Sequence, residues 1–358
     1  MFRIIKEGDV FATKEVCATS GPRCAVLEDG SVLCTFMINS KSGANDFVTM
    51  AAYSDGELSF GEAKAVWPHL KGKESLFGSV RKGGDGNYYI AGQAFPIAYE
   101  GEAFWSDEAM GMKENRVFFA KSEDGKSFAD PEMVALPFYA SAEQPGGMLC
   151  DGDGTLTMIY SPYPTIEKRE EVDNECMVLL RSRDGGKTFS GKKFAMIGED
   201  SQYAESWITR LTDGRLMVST WQTASENSSQ YLISDDDGET FKGPFAQEFK
   251  GQSTGICAWE DGSVLIAYNQ RKYGTVGVWL AMECFDGEGK AILLENQPVW
   301  EAETATKTGD STDFGQWTDF SFGEPSVTVL PDNTLLVTLW YQKGDVAGIR
   351  YVQLEREM

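Results

Sequence analysis

Short runs of β-forming, apolar residues recur along this chain, each broken by an acidic residue followed by glycine or asparagine. Six such breaks stand out: Asp29-Gly30, Asp85-Gly86, Asp153-Gly154, Asp213-Gly214, Asp261-Gly262 and Asp332-Asn333. Each is followed by a run such as Ser31-Val32-Leu33, Leu216-Met217-Val218 or Leu335-Leu336-Val337. Asp-Gly and Asp-Asn between apolar runs favour tight hairpins, because the second residue accepts a positive φ. No sustained helical period competes with this pattern, so the prediction is an all-β chain built from six hairpin units.

A second signature lies between the hairpins: Ser-x-Asp-(x)-Gly-x-Thr/Ser-Phe. It occurs at Ser122–Phe128, Ser182–Phe189 and Ser234–Phe241, with a weaker copy at Ser54–Phe60 and a remnant at Phe285–Gly289. The Ser and Asp side chains suit local backbone N–H groups, Gly takes the left-handed position, and the aromatic packs under the turn. Repetition at about 50–60 residues signals a repeated sheet unit, and that period points to a propeller. These segments resemble the Asp-box of the sialidase (neuraminidase) superfamily, also called the BNR repeat, and the resemblance covers nearly the whole chain. It implies one six-bladed β-propeller domain over residues 1–358, with blades near 15–68, 74–138, 144–198, 203–248, 252–302 and 322–356. Residues 2–12 would supply the last strand of the sixth blade and close the ring, which removes open sheet edges. Longer insertions near 95–115, 162–175 and 301–320 are expected to form the rim of a binding site.

Charge narrows the partners. With 32 basic and 55 acidic residues the formal charge is −23, which disfavours nucleic acid and anionic membrane surfaces as partners. Seven cysteines are present, an odd number without a CxxC, which fits buried free thiols in a reducing compartment. With no signal-like apolar stretch at Met1–Glu7, the expected location is cytoplasmic. The single histidine, His69, sits in a loop-like stretch and leaves little scope for a Ser-His-Asp triad or a histidine metal site. No cofactor or metal is expected.

The candidate chemistry lies just before the Asp-Gly turns, because the innermost strand of each blade lines the central axis. Eight residues before Asp213 is Glu205, and eight before Asp332 is Glu324. Arg23 lies six before Asp29, and Asp46 follows it in a polar loop. Paired carboxyls suit glycoside hydrolysis, in which one donates a proton while the other attacks or activates water. Asp46, Glu205 and Glu324 are therefore the catalytic candidates. Trp207, Trp221, Tyr268 and Trp340 are candidate platforms for sugar rings, Gln144 and Gln222 candidate partners for sugar hydroxyls, and Arg23 a candidate to orient a substrate oxygen. Trp105, Tyr160, Tyr163, Trp317, Tyr341, Asn269 and Gln342 are lesser candidates of the same two kinds.

The sialidase resemblance assigns Gly21-Pro22-Arg23 to the start of the first blade, Asp46 to the acid/base position, Glu205 to the fourth-blade glutamate and Glu324 to the position of the tyrosine nucleophile. It also exposes departures. Two of the three arginines that sialidases use to grip the substrate carboxylate have no counterpart near Thr220-Trp221-Gln222 or Gln252-Ser253-Thr254, and a glutamate replaces the tyrosine. Both changes point to a neutral sugar. The expected function is an exo-acting glycoside hydrolase on a small oligosaccharide or glycoside. Alternatives are an exo-α-sialidase, a hydrolase like the exo-arabinanases, or a carbohydrate-binding propeller without catalysis. A lyase is disfavoured by the shortage of arginine and histidine.

Overall fold

The structure is a computed structural model that describes residues 1–15, 17–166, 172–194, 203–223, 229–309 and 314–357. Among these residues it is almost wholly β, with two short 3-10 turns at Pro68–Leu70 and Phe314–Asp319. Six antiparallel sheets follow one another in chain order and form the blades of a propeller. From axis to rim, blade 4 runs Tyr203–Arg210, Leu216–Gln222, Gln230–Ser234 and Lys242–Ala246. Blade 5 runs Gln252–Ala258, Val264–Gln270, Gly277–Phe285 and Ala291–Glu301. Blades 1 and 2 begin at Ala18–Val26 and Glu74–Lys82 and follow the same plan. In blade 3 the innermost strand is split: Ser141–Glu143 and Leu149–Cys150 both pair with Leu156–Tyr163. The predicted end of blade 3 at 195–198, and parts of two predicted rim loops at 167–171 and 310–313, lie outside the described residues.

The predicted hairpins form where the alternation of apolar runs and acidic turns placed them. Gly30, Gly86, Gly154, Gly214 and Gly262 all have φ between 82° and 91°, and Asn333 takes φ 63° at the sixth turn. The Ser-x-Asp turns are held as their chemistry suggests. Ser182 Oγ accepts the Gly186 N–H at 2.9 Å, while Asp184 accepts the Thr188 N–H at 2.9 Å and the Thr188 hydroxyl at 2.7 Å. Ser234, Asp236, Gly238 and Thr240 repeat this set one blade later. These bonds favour the ionised form, so Asp184 and Asp236 are drawn down to about 2.

Six apolar clusters hold the ring, one at each interface between neighbouring blades. Phe322, Leu335 and Val337 of blade 6 pack on Leu265, Val278 and Leu280 of blade 5, for example. The core is therefore circular, and it is complete only if the first and last segments meet. They do so within blade 6, where Phe2–Thr13 pairs antiparallel with Val346–Arg356, from Phe2 opposite Arg356 to Thr13 opposite Ala347. Phe2 and Val10 bury their side chains in the interfaces on either side of that blade. All seven cysteines are free thiols.

Removing residues 1–13 should expose an unpaired strand edge and open two of the six interfaces. The expected outcome is loss of the single cooperative thermal transition and a shift to aggregates in size-exclusion chromatography. A truncated chain that stays monomeric and melts within a few degrees of the parent would contradict closure by this strand.

Candidate active site

One irregularity recurs in the innermost strands. The strand register slips by one residue between Ser20 and Arg23, between Ala204 and Trp207, between Gln252 and Thr254, and between Gly323 and Ser326. At each slip one residue takes a left-handed backbone: Gly21 at φ 55°, Glu205 at 51°, Ser253 at 52° and Glu324 at 45°. Three of the seven non-glycine residues with positive φ among the described residues thus fall on one repeated position. A bulge of this kind re-aims a side chain, and it is strained for a residue with a Cβ. Here it turns Glu205, Ser253 and Glu324 into a common cavity at the axis. Gly21 is required where it stands, because a Cβ there would lie 2.3 Å from Met37 Cε and 2.6 Å from Phe77 Cζ.

The cavity and its mouth comprise about 1240 Å³ of space not filled by protein. Its wall is largely aromatic, with Phe47, Phe77, Phe104, Trp105, Trp221 and Trp340 among its members. The 95–115 insertion builds part of this wall. Buried Glu102 accepts hydrogen bonds from Asn45 at 2.8 Å and Lys113 at 2.7 Å, which ties the insertion to the first blade. Phe104 is thereby set against Phe47 and Trp317, at ring separations of 5.1 and 5.8 Å.

Three carboxyl groups face the cavity, and their surroundings differ. Glu205 Oε2 accepts the Trp221 indole N–H at 2.9 Å and the Ser253 hydroxyl. Glu324 Oε2 accepts the Gly21 N–H at 2.8 Å. Burial, and then the nearby charge of Glu205, push the Glu324 carboxyl up to about 7, against the opposing pull of Arg23. The buried Trp340 indole N–H lies near enough to favour ionised Glu324, yet it forms no well-directed hydrogen bond. Glu143 accepts the main-chain N–H of Glu205 at 3.0 Å, and burial raises its carboxyl well above the usual range.

Two arginines flank the carboxyls. Arg271, just past the second strand of blade 5, stacks on Phe320 and Phe322 at 3.9 and 4.8 Å. It donates to Gln252 Oε1 at 2.6 Å and to the Phe322 carbonyl. Burial lowers it to about 9, so it remains charged at neutral pH. Arg23 is not a wall residue. It lies on the Trp207 ring, 4.5 Å from its centroid, and donates to the carbonyls of Pro22 and Glu324 at 2.8 and 3.0 Å. Its guanidinium is buried, close enough for its charge to act with those of Glu324 and Glu205.

Glu205, Glu324, Trp221 and Trp340 are brought together, as are Trp105, Tyr163, Trp317 and Gln342. Asp46 is not part of the wall; its carboxylate accepts the Ser40 N–H at 3.0 Å within its own loop. Trp207 lies under Arg23 and packs in the blade 4–5 core. Tyr268 is also core, stacked on Phe249 at 4.2 Å. Gln144 is fully buried and donates to the Gly147 carbonyl at 2.6 Å, and Gln222 is buried opposite Tyr203 at a strand end. Tyr160, Asn269 and Tyr341 likewise lie off the wall, and exposed His69 pairs with Asp130 at 3.1 Å. Glu143, Arg271 and Lys307 are wall residues that were not among the candidates. A signal existed for Glu143, which stands eight residues before Asp151 in Asp151-Gly152-Asp153-Gly154.

Solved structures share this fold. No protein-family profile matches the chain. No curated protein sequence matches it either. A protein of unknown function from Dyadobacter fermentans superposes with a TM-score of 0.75 at 16% identity over 99% of both chains. The NanB sialidase from Streptococcus pneumoniae gives 0.65 at 13% identity, over 99% of this chain and 70% of that one. The intramolecular trans-sialidase from Ruminococcus gnavus gives 0.63 at 12%, over 97% and 96%. The chain is thus a sialidase-like β-propeller.

The raised Glu324 carboxyl has a testable thermodynamic sign. A folded-state value of about 7 against an ordinary 4.5 means that the native chain binds this proton more tightly than the unfolded chain. The stabilisation is full below about pH 4.5 and is lost as pH rises through 7. Glu324→Gln should therefore gain stability relative to the parent between pH 5 and pH 8, by on the order of 3 kcal/mol at most. Urea unfolding of both proteins at the two pH values measures the difference, and a parent-minus-variant gap that does not change with pH would contradict it.

Proposed function

We propose that this protein is an exo-acting glycoside hydrolase that removes a terminal, uncharged sugar, with Glu324 as general acid and Glu205 as the carboxylate that attacks the anomeric carbon or activates water. The observation that carries this reading is the unequal pair: two carboxyls in one aromatic cavity, one held protonated near neutral pH by burial and its neighbour, the other engaged by an indole N–H and a hydroxyl. Environments that drive two carboxyls apart in proton affinity assign acid and base roles. This is a two-carboxyl mechanism in which Asp46 takes no part.

Exo action is supported by the packing next to the carboxyls, where buried Arg23 lies on the Trp207 ring and donates to the Glu324 carbonyl, which suits the terminus of a chain better than its middle. A neutral sugar is supported by the surroundings of Arg271, which already donates to Gln252 and to the Phe322 carbonyl and stacks on Phe320 and Phe322. A substrate carboxylate would also meet Glu205 and Glu324 in the same cavity. The aromatic wall offers flat apolar surface to the faces of a sugar ring.

A panel of chromogenic glycosides that includes arabinofuranosides and sialosides tests the reading. Glu205→Gln and Glu324→Gln should each lower kcat by roughly 10²–10⁴-fold on the substrate that is found. Glu324→Gln should also remove the alkaline limb of the pH–rate profile near 7. Full turnover by both variants would end the hydrolase reading. Strong cleavage of sialosides would end the neutral-sugar reading. Sugar binding without turnover by the parent would instead favour a non-catalytic carbohydrate-binding propeller.

A further inference from the structure

Blade 3 departs from its five counterparts at one place, and that place bears on Glu205. Its innermost strand stops at Glu143 and resumes at Leu149, and the detour between them leans against the bulge of blade 4. Gly146 approaches so closely that a Cβ would lie 2.7 Å from the Ser206 carbonyl oxygen and 3.2 Å from Trp207 Cα. Ser161 Oγ lies 3.3 Å from Ser206 Oγ, and the Tyr163 hydroxyl donates to the Tyr203 carbonyl at 3.3 Å. Within this clamp Glu143 Oε2 accepts the main-chain N–H of Glu205 itself, at 3.0 Å.

That N–H belongs to the left-handed residue of the bulge, whose slipped register removes it from the regular ladder of bonds with the second strand of blade 4. A buried N–H without an acceptor costs on the order of 1–3 kcal/mol, comparable to the strain of holding a non-glycine residue at this φ. We propose that Glu143 is a positioning residue for the hydrolysis described above: by taking the Glu205 N–H it locks the left-handed bulge that aims the Glu205 carboxylate at the substrate. What the site needs from Glu143 is an acceptor oxygen at that point, and a negative charge so close to Glu205 would be a liability. Burial disfavours the charged form and so serves both demands.

The inference rests on the hydrolase reading for its kinetic arm but not for its structural one. Glu143→Gln keeps an oxygen to accept the Glu205 N–H, whereas Glu143→Leu keeps much of the bulk and loses the acceptor. On the substrate that the glycoside panel identifies, Glu143→Gln should stay within about threefold of the parent kcat. Glu143→Leu should lose 30-fold or more in kcat with KM changed less than about threefold, because the aim of Glu205 matters to the reaction more than to binding. A crystal structure of Glu143→Leu should show Glu205 out of the left-handed region and its carboxylate turned from Trp221 and Ser253. Parent-like kcat in Glu143→Leu, an equal fall in Glu143→Gln, or Glu205 unmoved in the variant structure each overturns the proposal. Should the parent cleave no glycoside at all, the hydrolase reading falls while the crystal structure still decides whether Glu143 holds the bulge.

Discussion

A left-handed residue in a strand that faces the axis is the constraint on which the site depends. In a regular strand successive side chains alternate faces, so a carboxylate carried toward the axis would be followed by apolar residues pointing between blades. The bulge breaks that alternation in blades 1, 4, 5 and 6. It lets Glu205 and Glu324 project into the cavity while Trp207 and Val327, two and three positions on, return to the interfaces between blades. Glutamate is a poor residue for this backbone, and serine at 253 is little better. Tertiary bonds outweigh the strain: Glu143 on the Glu205 N–H, Ser253 and Trp221 on the Glu205 carboxylate, and the Gly21 N–H on Glu324. Each of these bonds crosses from one strand to another, so the aim of the carboxyls is a property of the closed ring.

The repeat was legible in the chain because the physics that makes a hairpin is local. Asp-Gly needs only its neighbours to turn, so every turn lay where the pattern put it. The site was legible only as far as it inherits that repeat. Eight residues before the turn lie Gly21, Phe77, Glu205, Ser253 and Glu324, all at or beside the cavity wall. Arg23 was reached by a count of six, and those two residues carry it past the bulge to the other side of the strand, where it meets Trp207. Blade 3 has two consecutive Asp-Gly pairs and a split strand, so both Glu143 and Pro145 answer the count of eight and both line the wall. Arg271 and Lys307 escaped because they stand on the loops that leave the sheets, where no repeat constrains the sequence. Asp46 shows the opposite error: its spacing from Arg23 was suggestive, but spacing through a polar loop does not determine direction, and its carboxylate serves the Ser40 N–H.

The hub is filled as well as lined. Arg23 spans from blade 1 to Trp207 of blade 4, and Arg81 of blade 2 donates to the Ile208 carbonyl of blade 4 at 2.7 Å. Guanidinium groups packed between blades would be costly if isolated. Main-chain carbonyls, an indole face and the nearby carboxyls supply what burial removes. Arg23 also sets a cation near Glu205 and Glu324, which limits how far the Glu205 charge can raise the proton affinity of Glu324.

That balance sets the electrostatics of the whole cavity. Without Arg23, burial and Glu205 would hold Glu324 protonated to higher pH, and the group would be a weaker acid. Without Glu205, burial alone would still raise it. With both, Glu324 sits close to neutrality, where a proton can be given and regained, and Glu143 adds an acceptor whose charged form burial disfavours. An acidic protein of net charge −23 thus sets its cavity carboxyls among cations, with Arg23 buried beside them and Arg271 and Lys307 in the wall.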